Sequence, residues 1–311
     1  MTKNRLLSRM TLFTIGVITL VACNSLIKKP QVTPNERPNV LLILADDLGF
    51  SDLGVYGSEI PTPNIDALAA SGALLTNFYA NATCAPSRAM LLSGMDSHAV
   101  GFGFNPIAAQ RLPELRGQPG YSGSWPTNIG SFVESFSAAD YYSVMAGKWH
   151  QGSAKDASPY GRGFDKAFYL EQGGASHFSD AAGQTSQAPF ATYYEDKKLV
   201  ESLPDNFYST KFYVDKIIEY IEGGLTEEAK PFFAYLSFTA PHWPLQVPPD
   251  WERKFKGLYD VGWEKIRNRR VETAKELGVV SQVAEVKPFP EALGLWSDLT
   301  AEDRAKEARR M

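Results

Sequence analysis

Cysteine is nearly missing from this sequence: Cys23 and Cys84 are the only two in 311 residues. They can form at most one disulfide, so no cross-linked framework supports the fold. An excess of positive charge is also missing. Lys and Arg number 31 against 35 Asp and Glu, a formal charge of −4. A nucleic-acid partner is therefore not expected, because binding one needs a basic face that neutralises phosphates. A small polyanion remains compatible, since a buried site can be positive inside an acidic shell. Histidine is sparse, with four in the chain. What is present is an ordinary globular balance, 44% hydrophobic and 12% aromatic, with length enough for one large domain or two small ones.

The N-terminal apolar run, residues 10–22, follows the basic residues Lys3, Arg5 and Arg9. It falls short of the ~20 residues that a spanning helix needs and suits a signal peptide. Leu20-Val21-Ala22-Cys23 resembles the lipobox of bacterial lipoproteins. That resemblance implies a signal peptide over 1–22 and a membrane attachment through lipid on Cys23. Asn24 after the cysteine implies the outer membrane, on the periplasmic side. A plain secretory signal is the competing reading. Residues 23–37, polar with two prolines after Cys23, read as a tether. A lipidated Cys23 leaves Cys84 unpaired, which is unusual for an exported chain.

From Pro38 the pattern becomes that of a folded domain. Residues 39–45 (NVLLILA) are apolar without alternation, as in a parallel strand buried on both faces. Residues 64–72 read as a short helix with Asn64 as N-cap and Gly72 as stop. Residues 141–146 and 232–239 are further buried-strand candidates. Between them, 211–222 carries Phe212, Val214, Ile217, Ile218 and Ile221 at a period near 3.6. Strands alternating with amphipathic helices predict an α/β fold with a mainly parallel central sheet flanked by helices. Residues 101–130 hold six glycines and four prolines, which suits a functional loop system. From about residue 251 the chain is rich in Lys, Arg and Glu and reads as solvated surface helices.

Each candidate strand ends in chemically loaded residues. Asp46 and Asp47 follow the first, Lys148, Trp149 and His150 the second, and His242 and Trp243 the third. In open α/β sheets the site forms where the carboxyl ends of the strands converge. Taken singly, each group has a bland alternative: a turn for the Asp pair, a satisfied structural histidine for His150 or His242. Adjacent carboxylates repel, however, and a hard divalent ion would relieve that conflict. Oxygen ligands alone would point to calcium or magnesium, and histidine ligands to zinc. Trp125, Trp149 and Trp243 are candidates for an aromatic wall or for core packing. His98 is given no role, and His177, in a polar stretch, reads as a surface residue.

Cys84-Ala85-Pro86-Ser87-Arg88 resembles the C-x-P-S-R signature of type I sulfatases, members of the alkaline phosphatase superfamily. Joined to Asp46-Asp47-Leu48-Gly49, Gly147-Lys148-Trp149-His150 and Ala240-to-Pro244, it resembles the order found in bacterial arylsulfatases from about Pro38 onward. The resemblance implies hydrolysis of sulfate esters of a small molecule or glycan. It implies that Cys84 is converted to Cα-formylglycine by a formylglycine-generating enzyme. It implies calcium, with magnesium less suited, held by Asp46, Asp47 and residue 84. By the same resemblance Arg88 holds the formylglycine oxygen, Lys148 and His242 bind sulfate, and His150 partners the second diol hydroxyl. Independently, Pro86 suits the first turn of a helix. Residue 84 then lies near a helix N-terminus, where an anionic oxygen is favoured and a free thiol would be an activated nucleophile.

The relatives carry further calcium ligands, an Asp-Asn pair, and a second sulfate-binding lysine downstream, and 252–311 contains no such pair. The expectation is therefore an incomplete sulfatase N-terminal domain over 38–311. Two other functions stay open: a phosphonate or phosphodiester hydrolase of the same superfamily, and a non-catalytic lipoprotein remnant.

Overall fold

Strand-forming sequence is spread along the chain, but it assembles into one main sheet. The computed structural model describes residues 37–311, apart from 153, 187, 225–229, 291 and 293. The lipobox, Cys23 and nearly all of the tether lie outside the described residues. The strands are β1 (Val40–Asp46), β2 (Tyr142–Lys148), β3 (Lys166–Leu170), β4 (Ala182–Thr185), β5 (Ala188–Phe190), β6 (Tyr193–Glu195), β7 (Lys198–Leu199) and β8 (Phe232–Pro241). Six of them form a sheet in the order β1-β8-β2-β3-β6-β7, while β4 and β5 make a separate hairpin. The pairs β1–β8, β8–β2 and β2–β3 are parallel; β6 and β7 add an antiparallel margin. The predicted mainly parallel sheet flanked by helices is the one observed.

Parallel pairing puts the carboxyl ends of β1, β2 and β8 at one edge. Ala146 lies opposite Leu236, and Leu42 opposite Tyr235. The register slips between Leu44 and Asp46, so that Asp46 faces Pro241. Such an irregularity re-aims the side chains beyond it.

The two faces of the sheet carry separate cores. Phe233, Tyr235 and Met145 face one cluster, which also contains Ala85, Ala89 and Leu92 of the helix Cys84–Ser93. Ala234, Leu236, Val144 and Ala146 face the other, with Tyr213, Ile217 and Tyr220 of the helix Ser209–Gly224. The sheet is thus buried on both sides at β2 and β8, which is why those strands are apolar without alternation. Each fully buried large side chain contributes about 1.5–3 kcal/mol.

Four expectations change. β1 is an edge strand, and Leu41 and Ile43 are half exposed while Leu42 and Leu44 pack inward. Its uniform apolarity does not reflect burial on both faces within the described residues. The first helix spans Pro63–Ser71 with Thr62, not Asn64, at its N-cap. Pro63 accounts for the shift, since its fixed φ and missing N–H suit the first helical position. In the helix Ser209–Gly224 the buried line is Tyr213, Ile217 and Tyr220, and Ile218 is exposed. Finally, the charged segment is more than a solvated surface. Its helix Trp263–Glu276 buries Ile266 and Ala274, and Arg270 forms ion pairs with Glu59 and Asp52. Among the described residues no helix is long and apolar enough to cross a membrane.

Candidate active site

The helix Cys84–Ser93 brings the candidate nucleophile to the sheet edge. Its N-cap, Thr83, is extended and makes no side-chain cap, and Pro86 occupies the first turn. Gly94 ends it in the left-handed conformation, its N–H bonded to the Met90 carbonyl at 2.9 Å. Cys84 is a partly buried free thiol at this N-terminus, where the helix dipole favours negative charge. Its Sγ lies 3.5 Å from Nδ1 of His150.

Arg88 projects from the same helix into full burial, at 1% exposure. Its Nη1 donates to the Lys148 carbonyl and the Tyr235 hydroxyl, both at 3.2 Å, and to Ser237 Oγ. Nη2 lies 3.5 Å from Asp46 Oδ1. Burial works against this charge, yet Tyr235 and Asp46 hold the Arg88 pKa above the ordinary guanidinium value. Lys148, with no exposure, donates through Nζ to Asp46 Oδ2. One buried carboxylate is thus shared by two buried cations, which leaves the trio with a formal charge of +1 and makes that carboxylate costly to remove.

His150 follows directly, in a left-handed conformation with φ 55°. Burial, together with the charges of Lys148, Arg88 and His242, pushes its pKa well below the usual histidine range. Its imidazole is therefore neutral near pH 7 and can take a proton. Gln151 ties the two halves of the site, donating to the Ala85 carbonyl at 2.9 Å and the His150 carbonyl at 2.8 Å.

The turn after β8 supplies the remaining groups. His242 Nε2 lies 3.6 Å from Asp47 Oδ2. Its Nδ1 lies 2.6 Å from the Trp243 carbonyl and 3.2 Å from Nε2 of Gln184. Asp47 is left-handed, φ 63°, and about half exposed. Gln184 of β4 donates to the Trp243 carbonyl at 2.6 Å.

The structure therefore brings Asp46, Asp47, Cys84, Arg88, Lys148, His150 and His242 to one edge of the sheet. It separates the tryptophans: Trp125 and Trp149 are core residues, and Trp243 is 54% exposed beside His242. His98 is largely exposed and bonds Asp96 and Tyr121. His177 is not a surface residue but is buried at 3% exposure. Sequence reading missed Tyr235, Ser237, Gln151 and Gln184. A polar Ser237 within the apolar β8 run was the one available signal, since a buried hydroxyl needs a partner.

The carboxylates of Asp46 and Asp47 are of the kind calcium takes, which prefers 6–8 oxygen ligands. Asp46, however, is engaged by Lys148 and Arg88, and among the described residues no three His, Cys, Asp or Glu side chains converge on a metal position. The described residues do not by themselves fit a calcium ion. An oxygen at position 84 does fit, between the neutral His150 ring and the helix N-terminus near Arg88.

A mainly parallel sheet with helices on its faces, and a nucleophile candidate and buried cations gathered at the strand ends, defines an α/β protein with a candidate site at that edge. The Sulfatase family model matches residues 38–286, and the chain belongs to this family. An uncharacterized sulfatase of Schizosaccharomyces pombe is 39% identical over 287 residues, which are 89% of this chain and 51% of the relative. The arylsulfatase of Klebsiella aerogenes is 38% identical over 276 residues, 89% of this chain and 58% of that protein. The crystal structure of Ps i-CgsB in complex with k-i-k-neocarrahexaose superposes with a TM-score of 0.61 at 29% identity, covering 78% of this chain and 55% of that one. The chain thus spans about half the length of the curated relatives it matches.

Proposed function

We propose that this chain carries the nucleophile half of a sulfuric ester hydrolase site, with residue 84 as the attacking group. The observation that carries this reading is His150 Nδ1 3.5 Å from Sγ of residue 84 at a helix N-terminus, within a chain of the Sulfatase family. Converted to formylglycine, residue 84 would supply a hydrated aldehyde whose hydroxyl attacks sulfur. Arg88 would hold an oxygen of residue 84, fixed by its bonds to Tyr235 and Ser237. His150 would accept the proton of the second hydroxyl as the C–O bond to the bound sulfate breaks, which would release sulfate and restore the aldehyde. His242, with Nδ1 directed at Trp243, presents Nε2 toward the leaving oxygen. Lys148 and Arg88 together outnumber the Asp46 carboxylate by one charge, and that excess would supply positive potential at the site. Such electrostatic and acid–base contributions are typically worth several kcal/mol each.

Calcium belongs to this proposal only with oxygen donors beyond those described, joined to Asp46 and Asp47. The substrate class is a sulfated sugar or an aryl sulfate. The exposed Trp243 ring beside His242 offers a surface for either, and a solved relative carries a neocarrahexaose. Export with lipid on Cys23 and a formylglycine-generating partner complete the reading.

The test is mass spectrometry of the peptide that holds residue 84, from protein made in its own cells, together with turnover of aryl sulfate and aryl phosphodiester. A peptide mass showing aldehyde in place of thiol, with sulfate ester preferred, supports the proposal. An intact thiol with no sulfate-ester turnover sinks it. A preference for phosphodiester moves the chain to the diesterase reading.

A further inference from the structure

His177 is buried, carries a titratable ring, and enters none of the steps above. Both of its ring nitrogens have partners. Nδ1 lies 2.6 Å from Ser209 Oγ, and Nε2 lies 3.4 Å from the backbone carbonyl of His242. A carbonyl only accepts, so Nε2 carries the hydrogen, and Nδ1 accepts from the Ser209 hydroxyl. Burial lowers the pKa of His177, which favours this neutral form. Its own backbone is pinned as well. Its N–H donates to Gln246 Oε1 at 2.9 Å, and its carbonyl accepts from the Ser209 N–H at 2.9 Å. The ring thus links the first residue of the helix Ser209–Gly224 to the turn beyond β8.

That turn needs outside support. The His242 ring meets the Trp243 carbonyl and Gln184 Nε2 through Nδ1 and faces Asp47 through Nε2, and the backbone N–H of His242 bonds back to Thr239. These contacts aim the ring only while the backbone of the turn stays in place. Gln184 holds the turn from the hairpin side through the Trp243 carbonyl. His177 holds it from the helix side.

We infer that His177 is a positioning residue for His242: with Ser209 behind it, it grips the His242 carbonyl and keeps that imidazole aimed toward Asp47. The inference rests on the reading of His242 as a group that faces the sulfate ester. Misplacing such a group by about 1 Å can cost on the order of 100-fold in rate. Loss of an orienting partner behind a functional histidine typically costs about 10–100-fold.

The test is a double-substitution cycle on the full chain. His177→Ala should lower kcat about 10–100-fold while KM stays within about threefold. In a His242→Ala background the same substitution should cost less than about twofold, because the residue it acts through is gone. His177→Gln, whose amide N–H reaches the place of Nε2, should recover most of the lost kcat. If His177→Ala costs the same with and without His242, His177 is merely structural and the inference fails.

A second readout needs no turnover. NMR of the imidazole nitrogens should show His177 protonated on Nε2, and Ser209→Ala should shift the His242 signals. His177 protonated on Nδ1, or His242 signals unmoved by Ser209→Ala, overturns the inference even where His177→Ala does not fold. A chain that shows the NMR signatures but no sulfate-ester turnover, or that turns over unimpaired as His242→Ala, instead overturns the proposed reaction and leaves the contact standing.

Discussion

Nδ1 of His150 stands 3.5 Å from Sγ of Cys84, across 66 residues of sequence. The ring is neutral because burial and the charges of Lys148 and Arg88 oppose its protonation. The ring therefore faces residue 84 unprotonated, and the effects that keep it so also make it a weaker base than a free imidazole. His150→Ala should lower kcat on an aryl sulfate by about 10²–10⁴-fold with an unchanged circular dichroism spectrum. Equal turnover in wild type and variant would remove His150 from the reaction.

Asp46 is the one carboxylate paired with both Lys148 and Arg88, in a setting where all three are at most 3% exposed. Asp46→Asn should cost about 3–5 kcal/mol in urea unfolding, because it leaves two buried cations without their anion. Adding Asp46→Asn to Lys148→Met should change stability by less than the sum of the two single losses. Strict additivity would show that the pair does not interact in solution.

Gly147 has φ 119°, and a Cβ there would lie 1.8 Å from the Ser237 carbonyl oxygen. That oxygen is backbone in the adjacent strand, so neither partner can yield cheaply. Gly147→Ala should destabilise the fold by more than about 3 kcal/mol. A melting temperature equal to that of wild type would contradict this close approach.

Arg270 joins the helix Trp263–Glu276 to Glu59 and Asp52, and Asp52 accepts the Gly49 N–H at 2.7 Å, two residues beyond Asp47. Burial alone would raise the Glu59 carboxyl; its hydrogen bonds and charge pairing with Arg270 outweigh this and hold its pKa below 4.5. The unfolded chain then binds protons first as the pH falls, so the pair stabilises above that value and its contribution is lost as the pH drops through the folded pKa. Arg270→Met should cost about 2–3 kcal/mol at neutral pH. The gap between wild type and variant should close on acidification, as read by thermal unfolding across the acid range. A gap independent of pH would mean that Glu59 does not titrate against Arg270.

The neighbourhood of Cys84 was legible in the sequence to an uneven degree. Asp46, Asp47, Lys148, His150 and His242 could be listed because each follows an apolar run and parallel strands send their carboxyl ends to one edge, whereas Cys84 and Arg88 came from the C-x-P-S-R resemblance. Ser237, Tyr235 and Gln151 could not, because a hydroxyl or amide that orients Arg88 or the Ala85 carbonyl leaves no periodic trace. His177 was misread for the same reason: a polar stretch suggests surface, whereas its burial is set by Ser209 and the His242 carbonyl, far away in sequence.

By itself the sequence determined the strands β1, β2 and β8 and the parallel core they form, and it supplied the candidate reactive groups. These follow from hydrophobic period, Pro and Gly placement, and side-chain chemistry, all of which are local. Only the tertiary structure decided that β1 lies at an edge, that Lys148 points onto Asp46, and that His150 is neutral. Those properties depend on which surfaces are covered and which charges lie within a few ångströms, and such distances are fixed by packing between segments remote along the chain.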